Sequence, residues 1–150
     1  MALFQGMNST ASALTAQRLR MDVISSNMAN VDTARGKYVD GKWQPYQRKM
    51  VVLQPGNAPF SSYLNKAMGS QSGVGEGVKV AKVVEDDSPA KLVYDPTNAD
   101  ADENGYVSMP NVDPLREMVD LMSATRSYEA NVTVFNASKS MMMKALEIGK

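Results

Sequence analysis

A chain of 150 residues is long enough for one ordinary domain, and its 16 basic and 16 acidic side chains cancel. A net charge of zero gives no strong electrostatic footprint for nucleic acid or an anionic membrane surface. The absence of cysteine excludes disulfides and thiol chemistry, and the absence of histidine removes the commonest general base and transition-metal ligand.

Charge is spread unevenly. Of the 32 charged residues, 18 lie between Arg35 and Glu103, 10 follow Val112, and only four precede Arg35. Met1 to Gln17 lacks a basic start and is diluted by Asn8, Ser9, Thr10, Ser12 and Thr15, so it does not read as a cleaved secretory signal. No window approaches the about 20 apolar residues that a membrane span requires, and no stable membrane insertion is expected.

From Met7 to Met28 a helical seam is predicted. Met7, Leu14, Met21 and Met28 recur at seven-residue steps, with Thr10, Gln17 and Ile24 between them. The other faces carry Ala11, Ser12, Ala13, Thr15, Ala16, Ser25 and Ser26, small and uncharged. Asn27-Met28-Ala29-Asn30-Val31-Asp32-Thr33 then reads as a helix exit, because Asn, Asp and Thr side chains bond nearby backbone.

Beyond it, residues 35–46 suggest a loop or short extended segment, and Lys49 to Leu53 a strand. Phe60 to Gly77 is rich in Gly, Ser and Asn and is predicted as a flexible loop. Its Gly-Val-Gly-Glu-Gly run fails the dinucleotide fingerprint, since Val78 stands where the third glycine is needed. Val78 to Glu85, Leu92 to Tyr94 and Tyr106 to Met109 read as strands of a small antiparallel sheet. Arg48, Lys49, Lys79 and Lys82 read as a solvated face.

Asp100-Ala-Asp102-Glu-Asn104-Gly105 opens like a calcium loop, but Asn111 stands where the bidentate glutamate belongs and Pro96 excludes an incoming helix. A tight turn at Asn104-Gly105 is the simpler reading. No serine elbow, acid pair or phosphate loop is present. No catalytic, cofactor or metal residue is therefore assigned.

Pro110 to Lys150 is predicted as one long helix. Met118, Leu121, Thr125, Tyr128, Val132, Phe135, Lys139, Met142 and Leu146 advance by three and four residues, an average of the coiled-coil period. Between Glu129 and Lys139 no residue is charged, although a solvated helix would carry Lys and Glu there. The two seams most simply pack against each other. Two helices cannot cover each other's circumference, however, and the uncharged flanks suit further neighbours. Leu115, Val119 and Met122 form a second apolar stripe, expected to dock on the chain's own β region or N-terminal helix.

These residues carry a family resemblance. Asn27, Ala29, Asn30 and Thr33 in the first helix exit resemble the N-terminal signature of bacterial flagellar axial proteins, the rod, hook and hook-associated group. Glu117 to Met122, then Arg126, Ser127, Tyr128, Glu129, Ala130 and Asn131, are similar to the C-terminal signature of that group. Tyr94-Asp95-Pro96, Asp100 to Asp102, Gly105 to Val107 and Pro110 to Val112 resemble its proximal rod branch more narrowly. The resemblance implies a non-enzymatic subunit that passes through the flagellar type III export apparatus. It implies helical assembly with copies of itself and other rod proteins, the terminal helices lining a tube around the export channel.

The expected fold class is α+β: long N- and C-terminal helices packed as a coiled-coil-like pair, with a small antiparallel β-rich insertion. The expected divisions are residues 1–33, 34–110 and 111–150. The expected assembly seam comprises Met7, Leu14, Met21, Ile24, Met28, Met118, Leu121, Tyr128, Val132, Phe135, Met142 and Leu146. Two other classes stay open on the residues alone, a calcium-dependent binding module and a membrane-active helical protein.

Overall fold

The computed structural model describes residues 2–39, 41–56, 68 and 77–148. Helix α1 spans Ala2–Ala29 and is followed by strands β1 (Lys37–Val39), β2 (Lys42–Gln44) and β3 (Lys49–Pro55). Then come β4 (Val78–Glu85), β5 (Lys91–Tyr94), β6 (Tyr106–Met109) and a closing helix α2 (Pro114–Ile148). The fold is α+β, and the described residues form a helix near each terminus and three two-stranded ribbons between them. The loop expected over Phe60 to Gly77 lies, apart from Met68 and Gly77, outside the described residues.

Each ribbon follows from local chemistry. β1 and β2 pair antiparallel with Tyr38 opposite Trp43, their ring centroids 5.1 Å apart. Residues 35–46, expected as a loop or extended segment, thus contain a hairpin. The cue is the Asp-Gly pair at 40–41, since Gly41 takes a φ of 81° that suits the tight turns of hairpins. β5 and β6 pair antiparallel with Tyr94 opposite Tyr106, rings 5.3 Å apart. β3 pairs with β4. At the two ends Arg48 O accepts from Asp86 N and Gly77 O accepts from Gly56 N, the crossed order of an antiparallel pair.

The cap of α2 starts the helix at Pro114 rather than at Pro110. Asp113 Oδ1 accepts from Leu115 N at 3.0 Å, and Pro114 occupies the first helical position, where its missing N–H costs nothing. At the other junction, α1 ends where Asn30 turns back: its side-chain amide donates to Ser26 O at 2.8 Å. Thr33 Oγ1 donates in turn to Asn30 Oδ1 at 3.2 Å.

Two compact units divide the chain. The first comprises Met1–Leu19, Val52–Lys82 and Ala124–Lys150; the second comprises Arg20–Val51 and Val83–Ser123. In the first, Ala16 and Ala124 are buried, and Ser12 Oγ accepts from Val78 N at 3.0 Å. In the second, Ile24, Val107, Pro110 and Val112 are buried, as are the polar Asn27 and Glu117. Among the described residues, buried apolar side chains therefore number only six, two of them alanine and one proline. Helices of 28 and 35 residues reach about 40 and 50 Å, and most of their apolar side chains are half-buried or exposed.

Candidate functional site

The second unit is organised by a buried polar cluster. The last turn of α1 presents Asn27, the start of β3 presents Arg48 and Lys49, and the first turn of α2 presents Glu117. Asn27 Oδ1 accepts from Lys49 N at 2.9 Å and from the Tyr46 hydroxyl at 3.0 Å. Its amide nitrogen donates to Lys49 O at 2.8 Å and to Glu117 Oε2 at 3.2 Å. The other Glu117 oxygen accepts from Arg48 Nε at 2.6 Å. Arg48 also lies 3.5 Å from Asp120 and 3.8 Å from Asp86. Glu117 is wholly buried, and an arginine and an amide meet its two oxygens, as buried polar groups require.

Asn111 closes the outer side of this cluster. Its Oδ1 accepts from Arg48 N at 2.8 Å, and its amide donates to Asp86 O and Ser88 O, each at 3.2 Å. The Ser88 hydroxyl and backbone N–H, joined by Arg48 and Arg116, hold the Asp86 carboxyl below its ordinary range. Arg48 was expected on a solvated face. Its side chain is instead nearly buried, because two acidic residues of α2 and one of the β4 exit converge on it.

The calcium-like loop has other commitments. Arg35 pairs bidentately with Asp100, its Nε 2.7 Å from Oδ1. Asp102 Oδ1 accepts from Asn104 N and Tyr106 N, each at 2.9 Å, and Gly105 turns the chain at a φ of 80°. Among the described residues no group of three or more acids is arranged to hold a metal.

Within the predicted seams, Met7, Leu14, Met21 and Met28 are half-buried and Ile24 is buried. On α2, Leu121, Tyr128, Val132, Phe135 and Met142 are half-buried, whereas Met118 and Leu146 are exposed in the single chain. Of the residues expected to carry the family signatures, Asn27 sits in the buried cluster, Asn30 and Thr33 at the helix exit, and Ala29 on the surface. Arg126, Glu129 and Ala130 are exposed; Ser127, Tyr128 and Asn131 are half-buried, with Asn131 Nδ2 donating to Ser127 O at 2.8 Å.

One expectation is corrected. Leu115, Val119 and Met122 do not dock on the chain's own β region or on α1; they are 69%, 56% and 57% exposed. Helical periodicity gives the reason. Glu117, Leu121 and Ala124 occupy the inward face, and a stripe two residues out of phase with them points the opposite way. Val134, Met141 and Met143 add further exposed apolar side chains along α2. These exposed apolar side chains fall in two groups, before and after the Arg126 to Asn131 stretch, and exposed apolar patches suit an interaction surface.

Comparison with known proteins agrees with both signatures. Residues 7–36 match the family described as flagella basal body rod protein, and residues 103–148 match the C-terminal family of flagellar basal body rod FlgEFG proteins. The flagellar basal-body rod protein FlgC of Bacillus subtilis is 63% identical over 150 residues, covering all of both chains. FlgC of Escherichia coli O6:H1 is 50% identical over 150 residues, again covering both completely. FlgC of Borreliella burgdorferi is 46% identical over 159 aligned residues, 99% of this chain and 98% of that one. With the Asn27 helix exit inside the first matched region and Arg126 to Asn131 inside the second, the chain belongs to the FlgC family of flagellar basal-body rod proteins.

Proposed function

We propose that the chain is a structural, non-enzymatic subunit of the flagellar basal-body rod, joined through its terminal helices to copies of itself and to other rod proteins. The observation that carries this reading is full-length similarity to basal-body rod proteins, supported by the exposed apolar side chains of α2. Residues 1–33 and 111–150 form the rod core in this reading, and residues 34–110 form an outer β-rich module. Head-to-tail contacts that do not close generate a helical filament. Such a filament serves as the drive shaft that transmits motor torque and encloses the export channel. The subunit reaches it as a substrate of the flagellar type III export apparatus. Its assembly seam comprises the heptad-spaced side chains of α1 and α2, packed on neighbouring copies as a coiled-coil-like layer.

The test is complementation of a strain lacking the gene. The wild-type chain restores motility, and Phe135→Asp, which places a charge in the seam, abolishes it while leaving the protein detectable. Normal motility with Phe135→Asp contradicts the seam.

A further inference from the structure

The zero net charge of the chain conceals a segregation that only the folded units reveal. The unit made of Met1–Leu19, Val52–Lys82 and Ala124–Lys150 holds 8 basic and 3 acidic residues, a net charge of +5. The unit made of Arg20–Val51 and Val83–Ser123 holds 8 basic and 13 acidic residues, a net charge of −5. The ion pairs sharpen the contrast. Arg20, Arg35, Lys37 and Arg48, half the bases of the acidic unit, are committed to acids of that same unit. The acidic surplus remains outside, with Asp87 and Glu103 both exposed. In the basic unit Arg18, Lys82, Arg126 and Lys139 are exposed, and Lys144 pairs with Glu147.

From this complementarity we infer that the basic unit of one copy docks on the acidic unit of a second copy, so that electrostatics sets the polarity of the contact between subunits. The inference rests on the assembly reading and adds to it the pair of surfaces that meet. Like units repel, so contacts between two basic units or two acidic units are disfavoured, and a contact between unlike surfaces is of the heterologous kind.

The experiment is sedimentation velocity of the full-length chain across a salt series, with two charge-reversed variants. Arg18→Glu/Lys82→Glu alters the basic unit, and Asp87→Lys/Glu103→Lys alters the acidic unit; all four positions are exposed and lie off the helical seams. The wild type self-associates at low salt, and the association falls as salt rises, since exposed charges are screened within about 8 Å at physiological ionic strength. Each variant alone associates about tenfold more weakly, and mixing the two recovers association. A wild type that stays monomeric at every salt concentration overturns the proposal. So does association that neither reversal weakens, or a mixture that fails to recover it. Phe135→Asp separates the two readings. If it abolishes association while the charge reversals have no effect, the helical seam stands and the electrostatic docking falls.

Discussion

At the scale of single residues, Asn27 and Glu117 carry the most consequence. Asn27→Ala leaves the Lys49 backbone groups and one Glu117 oxygen without their partner, and unsatisfied buried groups cost about 1–3 kcal/mol each. Glu117→Ala removes the shortest partner of Arg48, which keeps Asp86 and Asp120, and it deprives the Asn27 amide of an acceptor, a loss of about 1–3 kcal/mol. Denaturant unfolding of both single variants and the double variant checks this. The double variant loses less than the two singles combined, because Asn27 and Glu117 share one network. Asp86 supplies a pH dependence. Its folded-state pKa is depressed by Ser88 first, then by Arg48 and Arg116, so its stabilising contribution is present above the ordinary carboxylate range. That contribution is lost as pH falls from there through the depressed value. Asp86→Asn therefore lowers the neutral limb of a stability-versus-pH curve and flattens its acid limb, so that variant and wild type converge as pH falls. None of this was legible in the sequence. Asn27 stands 22 residues from Lys49 and 90 from Glu117, and no local pattern reports such distances. Arg48 among other basic residues looks like a solvated cation until three acids are folded around it.

At the scale of elements, glycines separate close approach from plain flexibility. A Cβ on Gly36 would lie 2.7 Å from Tyr46 N, against backbone that cannot turn aside. Gly36→Ala accordingly destabilises the hairpin junction by about 1–3 kcal/mol, read from the denaturant midpoint. Gly6, in α1, has nothing within 4 Å of its built Cβ. Gly6→Ala raises helix content in the far-UV and stabilises α1 by about 0.5–1 kcal/mol, since only backbone entropy is at stake. Element positions were largely readable. The seams gave both helices, and the apolar runs at Val78, Leu92 and Tyr106 gave three strands that fold as β4, β5 and β6. The first hairpin was missed because three-residue strands carry too little periodicity, and only Asp-Gly marked it. The orientation of α2 was missed at its start for a different reason. An apolar stripe normally marks the inward face, but here a buried ion pair turns Glu117 inward and leaves Leu115, Val119 and Met122 outside.

At the scale of the whole chain, the two units differ in what holds them. The acidic unit has its own polar cluster, with Ile24, Val107 and Val112 buried about it. In the basic unit the buried apolar side chains among the described residues are Ala16 and Ala124, which contribute little burial energy. Net charge read over the complete sequence was silent about this division, because zero was the sum of two opposite surpluses. The central claim is that the outer parts of the helices acquire their partners in the assembly. Residue-resolved amide hydrogen exchange on the dilute monomer and on purified rods tests it most directly. In the monomer, amides near Ile24 to Asn27 and around Glu117 are protected, whereas those of Met7 to Leu19 and of Val132 to Leu146 exchange rapidly; in the rod, all of them are protected. Full protection of Met7 to Leu19 and Val132 to Leu146 in the dilute monomer, equal to that in the rod, would contradict the account.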